Sequence, residues 1–319
     1  MNQERKPLSP LHGIMIFIIT IILLIFVAAP LQMYLKMTGL ALTELILLVV
    51  AVVPALLLKQ DLKQVFPFKK PKMKQIFGTL LLWVGGFLTS VLISLTIAYF
   101  FPQKMGDLTN YMSDFFSSVP FVLTFLIVAV MPAICEETLH RGFILSTFRG
   151  VRSKWLVVLL MGLLFGIFHL DFYRFLSTAV LGALLAYIML ETENLLLPML
   201  FHFVNNSLSS LSSLVQSSAQ AQTPNRNTYI VGIASYLVIG TIIPFCFLFG
   251  SKLIKAKKPE QSGKKSAAPI AVAVLIAVLL FLSGIAIMVT QYVAGNPLLT
   301  VSSNAETPKN VLAALRFPF

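Results

Sequence analysis

Long apolar runs broken by short clusters of charge, proline and glycine dominate the chain. A membrane's hydrocarbon core takes about 20 apolar residues as helix, fewer or more with tilt. By that measure nine segments, 13–35, 40–58, 76–101, 120–147, 155–171, 173–190, 195–214, 229–250 and 268–292, are long enough or nearly so to cross. The fifth and sixth are short, and Asp171 and Arg174 between them could lie inside a cavity. The pattern predicts an all-α fold: a polytopic membrane protein of about eight or nine transmembrane helices around a central bundle.

Composition agrees with the pattern. Hydrophobic residues make up 57% of the 319 and charged residues 11%, whereas soluble domains carry roughly 45–50% and 25%. The expected location is an integral, multi-pass position in the cell's plasma membrane. The net charge of +12 raises nucleic acid as a partner, but the basic residues follow loops and not an amphipathic face, so none is expected. With the N-terminus placed in the cytoplasm, 18 of the 24 Lys and Arg fall on that side, as the positive-inside rule requires. Those 18 include six lysines from Lys59 to Lys74 and six from Lys252 to Lys265. The first of these loops suits anionic headgroups; the second, with Gly263 and two prolines, reads as a flexible linker before a last span. Arg5 and Lys6 before the 14–29 run also fit a signal peptide, but Pro30 would follow the cut and the charge count works with the segment kept as an anchor. Cys135 and Cys246 lie inside predicted spans and read as small buried hydrophobes, not a disulfide framework.

Three apolar segments carry groups that hydrocarbon should exclude: Glu136, Glu137 and Arg141 in one, His169 in the next, His202 and Asn206 in a third. Ionisable residues in spans normally face a protein interior or wet cavity and mark function. Glu137 and Arg141 are i,i+4 neighbours able to pair, while Glu136 is rotated away and free to act as a general base. His202 and Asn206 share a helix face, as do Phe165 and His169. Each pair alone reads equally as an interhelical polar contact. At about 1.5 Å per residue, Glu136 lies roughly 20 Å from Arg149, His169 roughly 21 Å from Trp155, and His202 roughly 10 Å from Leu195. All can therefore reach one cavity, expected below the cytoplasmic face.

The ordered set EExxxR (Glu136, Glu137, Arg141), FxxxH (Phe165, His169) and HxxxN (His202, Asn206) resembles the CPBP family of intramembrane proteases, also called the Abi or type II CAAX prenyl protease family. The resemblance covers about residues 120–215, which divides the chain into N-terminal helices with a basic loop (1–119), a protease-like core (120–215) and C-terminal helices with a basic linker (216–319). It implies an intramembrane endopeptidase whose catalytic bundle uses Glu136 and His169 to activate water, with His202 and Asn206 as an oxyanion hole and Glu137 and Arg141 in support. His140 departs from the pattern, where an aromatic residue is common. One Glu and two His, Glu136, His169 and His202, also make a candidate ligand set for a divalent metal such as zinc, although no HExxH helix is present; metal dependence stays open. Partners implied are the lipid bilayer and a peptide or membrane-protein substrate, prenylated or a peptide precursor. Two other classes fit intramembrane charge: an ion- or proton-coupled transporter, which would show repeated halves, and a noncatalytic immunity or signalling scaffold.

Overall fold

The computed structural model describes residues 8–116, 118–217, 226–255 and 267–295. All nine apolar segments are helical, and the described residues contain no strand. We number the helices α1 (Pro10–Leu35), α2 (Met37–Leu57), α3 (Met73–Phe100), α4 (Pro102–Phe116), α5 (Phe121–Thr147), α6 (Lys154–Phe168), α7 (Phe175–Thr192), α8 (Leu196–Ser217), α9 (Arg226–Ile254) and α10 (Ala268–Gly295). Seven of these described helices, α1, α2, α3, α5, α7, α9 and α10, are long and apolar enough to cross a membrane. The chain is an integral, multi-pass membrane protein. α6 is apolar but has only 15 residues. α8 has 22 residues and is diluted by polar ones. Large side chains such as Ile14, Ile18, Val49 and Leu279 point outward, as they should where the solvent is lipid.

Besides a single turn at Leu62–Val65, one helix lay outside the nine segments. α4 is amphipathic: Met105, Leu108, Met112 and Phe115 recur at helical spacing and face a cavity, while Lys104, Asp107 and Asp114 are exposed.

Small residues set the closest helix approaches, as is usual where lipid supplies no hydrophobic drive between helices. A Cβ added at Gly162 would meet the Ala179 carbonyl at 2.7 Å, and one at Gly182 would meet Phe165 Cβ at 2.5 Å. α6 and α7 therefore pack backbone against side chain, and Leu170, at φ 51°, reverses the chain between them. Asp171 Oδ1 accepts from the backbone N–H of Tyr173 (2.8 Å) and Arg174 (3.2 Å) and so closes the turn that precedes α7. Asp171 is thus a turn residue, whereas Arg174 lines the cavity.

The helix ends that carry the basic loops are tied together. Arg149 donates to the Gln64 carbonyl, Lys69 pairs with Glu193 at 3.2 Å, Lys154 pairs with Glu191, and Lys74 donates to the Lys255 carbonyl at 3.3 Å. Leu195 N–H donates to the Pro67 carbonyl and Asn194 Nδ2 to the Lys69 carbonyl, both at 2.8 Å. Behind this face lies a core of Val65, Phe143, Ile144, Phe148, Met161 and Leu195, joined by Phe17 of α1. Arg5, Lys6, Lys257 to Lys265 and residues 218–222 lie outside the described residues.

Candidate functional site

Glu136, His169, His202 and Asn206, from three helical segments, line one cavity of about 750 Å³. The shared cavity inferred from helix depth exists, and its lining comes largely from the helix halves remote from the 59–74 loop. It opens away from the basic loops, because the core behind Arg149 and the 59–74 loop closes that end.

Pro132 shapes the first wall. Its nitrogen cannot return the α-helical bond to the Val128 carbonyl, and the helix runs in wide π turns at Leu126–Val130 and again at Thr138–Ile144. The Val128 carbonyl instead accepts from Asn206 Nδ2 at 3.0 Å. That bond fixes the Asn206 amide and leaves its second N–H uncommitted. Glu136, on the intervening turn, is 8% exposed, and one of its carboxylate oxygens has no hydrogen-bond partner among the described residues.

Behind the cavity wall, Glu137 and Arg141 are both fully buried. Arg141 Nη1 donates to Glu137 Oε1 at 2.8 Å, Nη2 donates to the Gly182 carbonyl at 2.9 Å, and the guanidinium lies 4.4 Å from the centre of the Phe165 ring. The i,i+4 pairing expected from sequence is present. A further contact was not legible: His202 Nδ1 stands 2.8 Å from the same Glu137 Oε1. An oxygen already facing a guanidinium accepts, so His202 donates through Nδ1. Glu137 is therefore the hub joining α5 to α8, and Arg141 joins both to α7.

His169 is set in a comparable way. Its Nδ1 lies 2.8 Å from the Phe165 carbonyl, which can only accept, so Nδ1 carries the hydrogen and Nε2 bears the lone pair in the neutral ring. Phe165 packs edge-on against both histidines, with ring centres 4.8 Å from His169 and 5.9 Å from His202. His140, by contrast, donates to the Glu136 carbonyl at 3.0 Å, sits between Phe165 and Phe168, and lies off the cavity lining.

Among the described residues no group of three His, Cys, Asp or Glu side chains is placed to hold an ion. Glu136, His169 and His202 border the same cavity without converging as ligands.

Sequence reasoning missed Glu44. It is 2% exposed in α2, lines the cavity, and has one oxygen without a partner among the described residues. The signal was available, since Glu44 is the one acid in the 40–58 segment.

Residues 118–208 match the model of a family described as Type II CAAX prenyl endopeptidase, Rce1-like. An uncharacterized 24.3 kDa protein of Escherichia coli is 30% identical over 135 residues, covering 40% of this chain and 58% of that protein. The chain thus spans less than two thirds of that relative's length. No solved structure matches. The matched stretch contains all three motifs, and at family level the similarity is to proteases of CAAX type acting within the membrane.

Proposed function

We propose, from the premise of an Rce1-like segment at 118–208, that this chain is an intramembrane endopeptidase that hydrolyses a peptide bond in the α5–α8 cavity. The observation that carries the reading is the convergence of Glu136, His169, His202 and Asn206 on one cavity from segments up to 70 residues apart.

Hydrolysis needs an activated water, a home for the oxyanion and a proton for the leaving amine. The unpartnered Glu136 carboxylate is the base that takes the water's proton. His169 Nε2, the lone-pair nitrogen, accepts the water's other hydrogen and aims its oxygen at the carbonyl carbon. As the C–O bond forms, negative charge grows on the carbonyl oxygen. The second N–H of Asn206 faces it, beside the His202 ring that Glu137 orients through Nδ1. Collapse breaks the C–N bond, and Glu136 returns the proton to nitrogen. A positioned oxyanion donor contributes about 2.7–4 kcal/mol to such a step. The residues need water in an apolar setting, which the cavity supplies; the ion pair of Glu137 and Arg141 holds the histidine without touching substrate.

A zinc reading would take Glu136, His169 and His202 as ligands, and among the described residues they are not placed as a ligand group, which does not favour it. The substrate class is a peptide or membrane-protein segment reached at the membrane. Cleavage of a peptide and membrane-tail library by wild type and by Glu136→Gln tests the reading, with loss of all cleavage in the variant expected. Equal cleavage by both would remove Glu136 from the chemistry.

A further inference from the structure

The helix ends that line the cavity are the ends remote from the basic loops. Glu44 stands in the half of α2 away from Lys59, and Ser94 in the half of α3 away from Lys74. His169 ends α6 at the opposite pole from Lys154, and Tyr229 begins α9 at the opposite pole from Lys252. Two independent contacts mark this second face: Phe101 meets Tyr173 at 5.4 Å, and the Arg226 guanidinium lies 6.0 Å from the Tyr99 ring. The cavity reaches the surface here, since Tyr111 of α4 lines it and is 60% exposed.

Charge distinguishes the two faces. Of the described Lys and Arg other than the buried Arg141, eleven lie in the 59–74, 149–154 and 252–255 stretches, and four (Lys36, Lys104, Arg174 and Arg226) lie on the cavity side. A bias of this size in short loops is what orients a polytopic protein, with the basic side retained in the cytoplasm. The basic face is also the sealed one, through the Arg149, Lys69 and Lys154 contacts and the core of Phe143, Ile144 and Phe148 behind them.

We infer that the cavity opens to the extracytoplasmic side, so that the site acts on peptide segments presented from outside the cell membrane and not on tails of cytoplasmic proteins. The substrate class follows from access: an exported peptide, or the outer juxtamembrane segment of a membrane protein, enters past α4 to reach Glu136. α4 supplies an apolar, Met- and aromatic-lined wall suited to apolar side chains. The inference about substrate rests on the peptidase reading; the inference about access does not.

Single cysteines at Asn110 on α4, Ser94 on the cavity wall and Lys70 on the basic face, added to the full chain with its buried Cys135 and Cys246, separate the two. In intact cells a small membrane-impermeant thiol reagent is expected to modify Asn110→Cys and Ser94→Cys, with label on Lys70→Cys absent until the cells are permeabilised. The reverse pattern, or a Ser94→Cys that reacts only after permeabilisation, overturns the inference. Right-side-out vesicles should cleave an added soluble peptide and inside-out vesicles should not; cleavage by inside-out vesicles alone also overturns it. If neither vesicle cleaves, the peptidase reading fails, and the labelling pattern still decides which side the cavity faces.

Discussion

Replacing Arg141 gives the sharpest stability prediction. The guanidinium makes two hydrogen bonds, 2.8 Å to Glu137 and 2.9 Å to the Gly182 carbonyl, at full burial. Arg141→Ala strands the Glu137 carboxylate with His202 as its remaining partner and opens a void over Phe165. Breaking a buried pair from one side costs about 3–5 kcal/mol, a large part of the roughly 5–15 kcal/mol that holds a typical domain together. Arg141→Lys keeps the charge but not the fork, so it can serve Glu137 or Gly182 and not both. The expected loss is one charged hydrogen bond, about 1.5–3 kcal/mol. Removing both charges with Arg141→Met and Glu137→Gln leaves no stranded ion and should cost less than the sum of the single changes. Equilibrium unfolding in mixed detergent micelles measures these variants together with the single Arg141→Met and Glu137→Gln changes. An Arg141→Ala protein within about 1 kcal/mol of wild type would refute the hub, and so would strict additivity in the double variant.

Other outcomes follow from the same geometry. Glu137→Gln should loosen the bond that fixes the tautomer and orientation of the His202 ring, lowering kcat by about 10⁴-fold, as loss of the acid behind a catalytic histidine does; a kcat within a few-fold of wild type would detach Glu137 from the site. Asn206→Ala should lower kcat by about 10²–10³-fold with little change in KM, because an oxyanion donor acts in the transition state; a rise in KM alone would make it a substrate-binding residue. Gly182→Ala puts a Cβ 2.5 Å from Phe165 Cβ, so the α6–α7 contact should loosen by about 1–3 kcal/mol in unfolding measurements, while an unchanged stability would mean the two helices are not held this closely.

The spans and the candidate site residues were legible for one physical reason: hydrocarbon tolerates so few polar groups that each exception is informative. Glu136, His169, His202 and Asn206 stood out in this way and do line one cavity. The same effect blurred α8, whose His202, Asn205, Asn206 and serines lower its apolarity below that of the other long spans. α4 was missed because an amphipathic helix has no long apolar run to find. Glu137 was read as the partner of Arg141 from i,i+4 spacing, but its bond to His202 bridges 65 residues, and no local periodicity encodes it. The direction of the cavity was equally hidden. Rise per residue gives depth along a helix, whereas which end is sealed depends on how the 59–74 loop packs against α5 and α8.

The central claim is that Glu136 removes the proton from the attacking water. Its most direct test is single-turnover cleavage, in lipid vesicles, of any peptide that the wild-type protein cuts, compared with Glu136→Gln protein shown by unfolding to be equally stable. The account predicts no bond cleavage by the variant with substrate binding retained. Cleavage at the wild-type rate by a folded Glu136→Gln protein would contradict it.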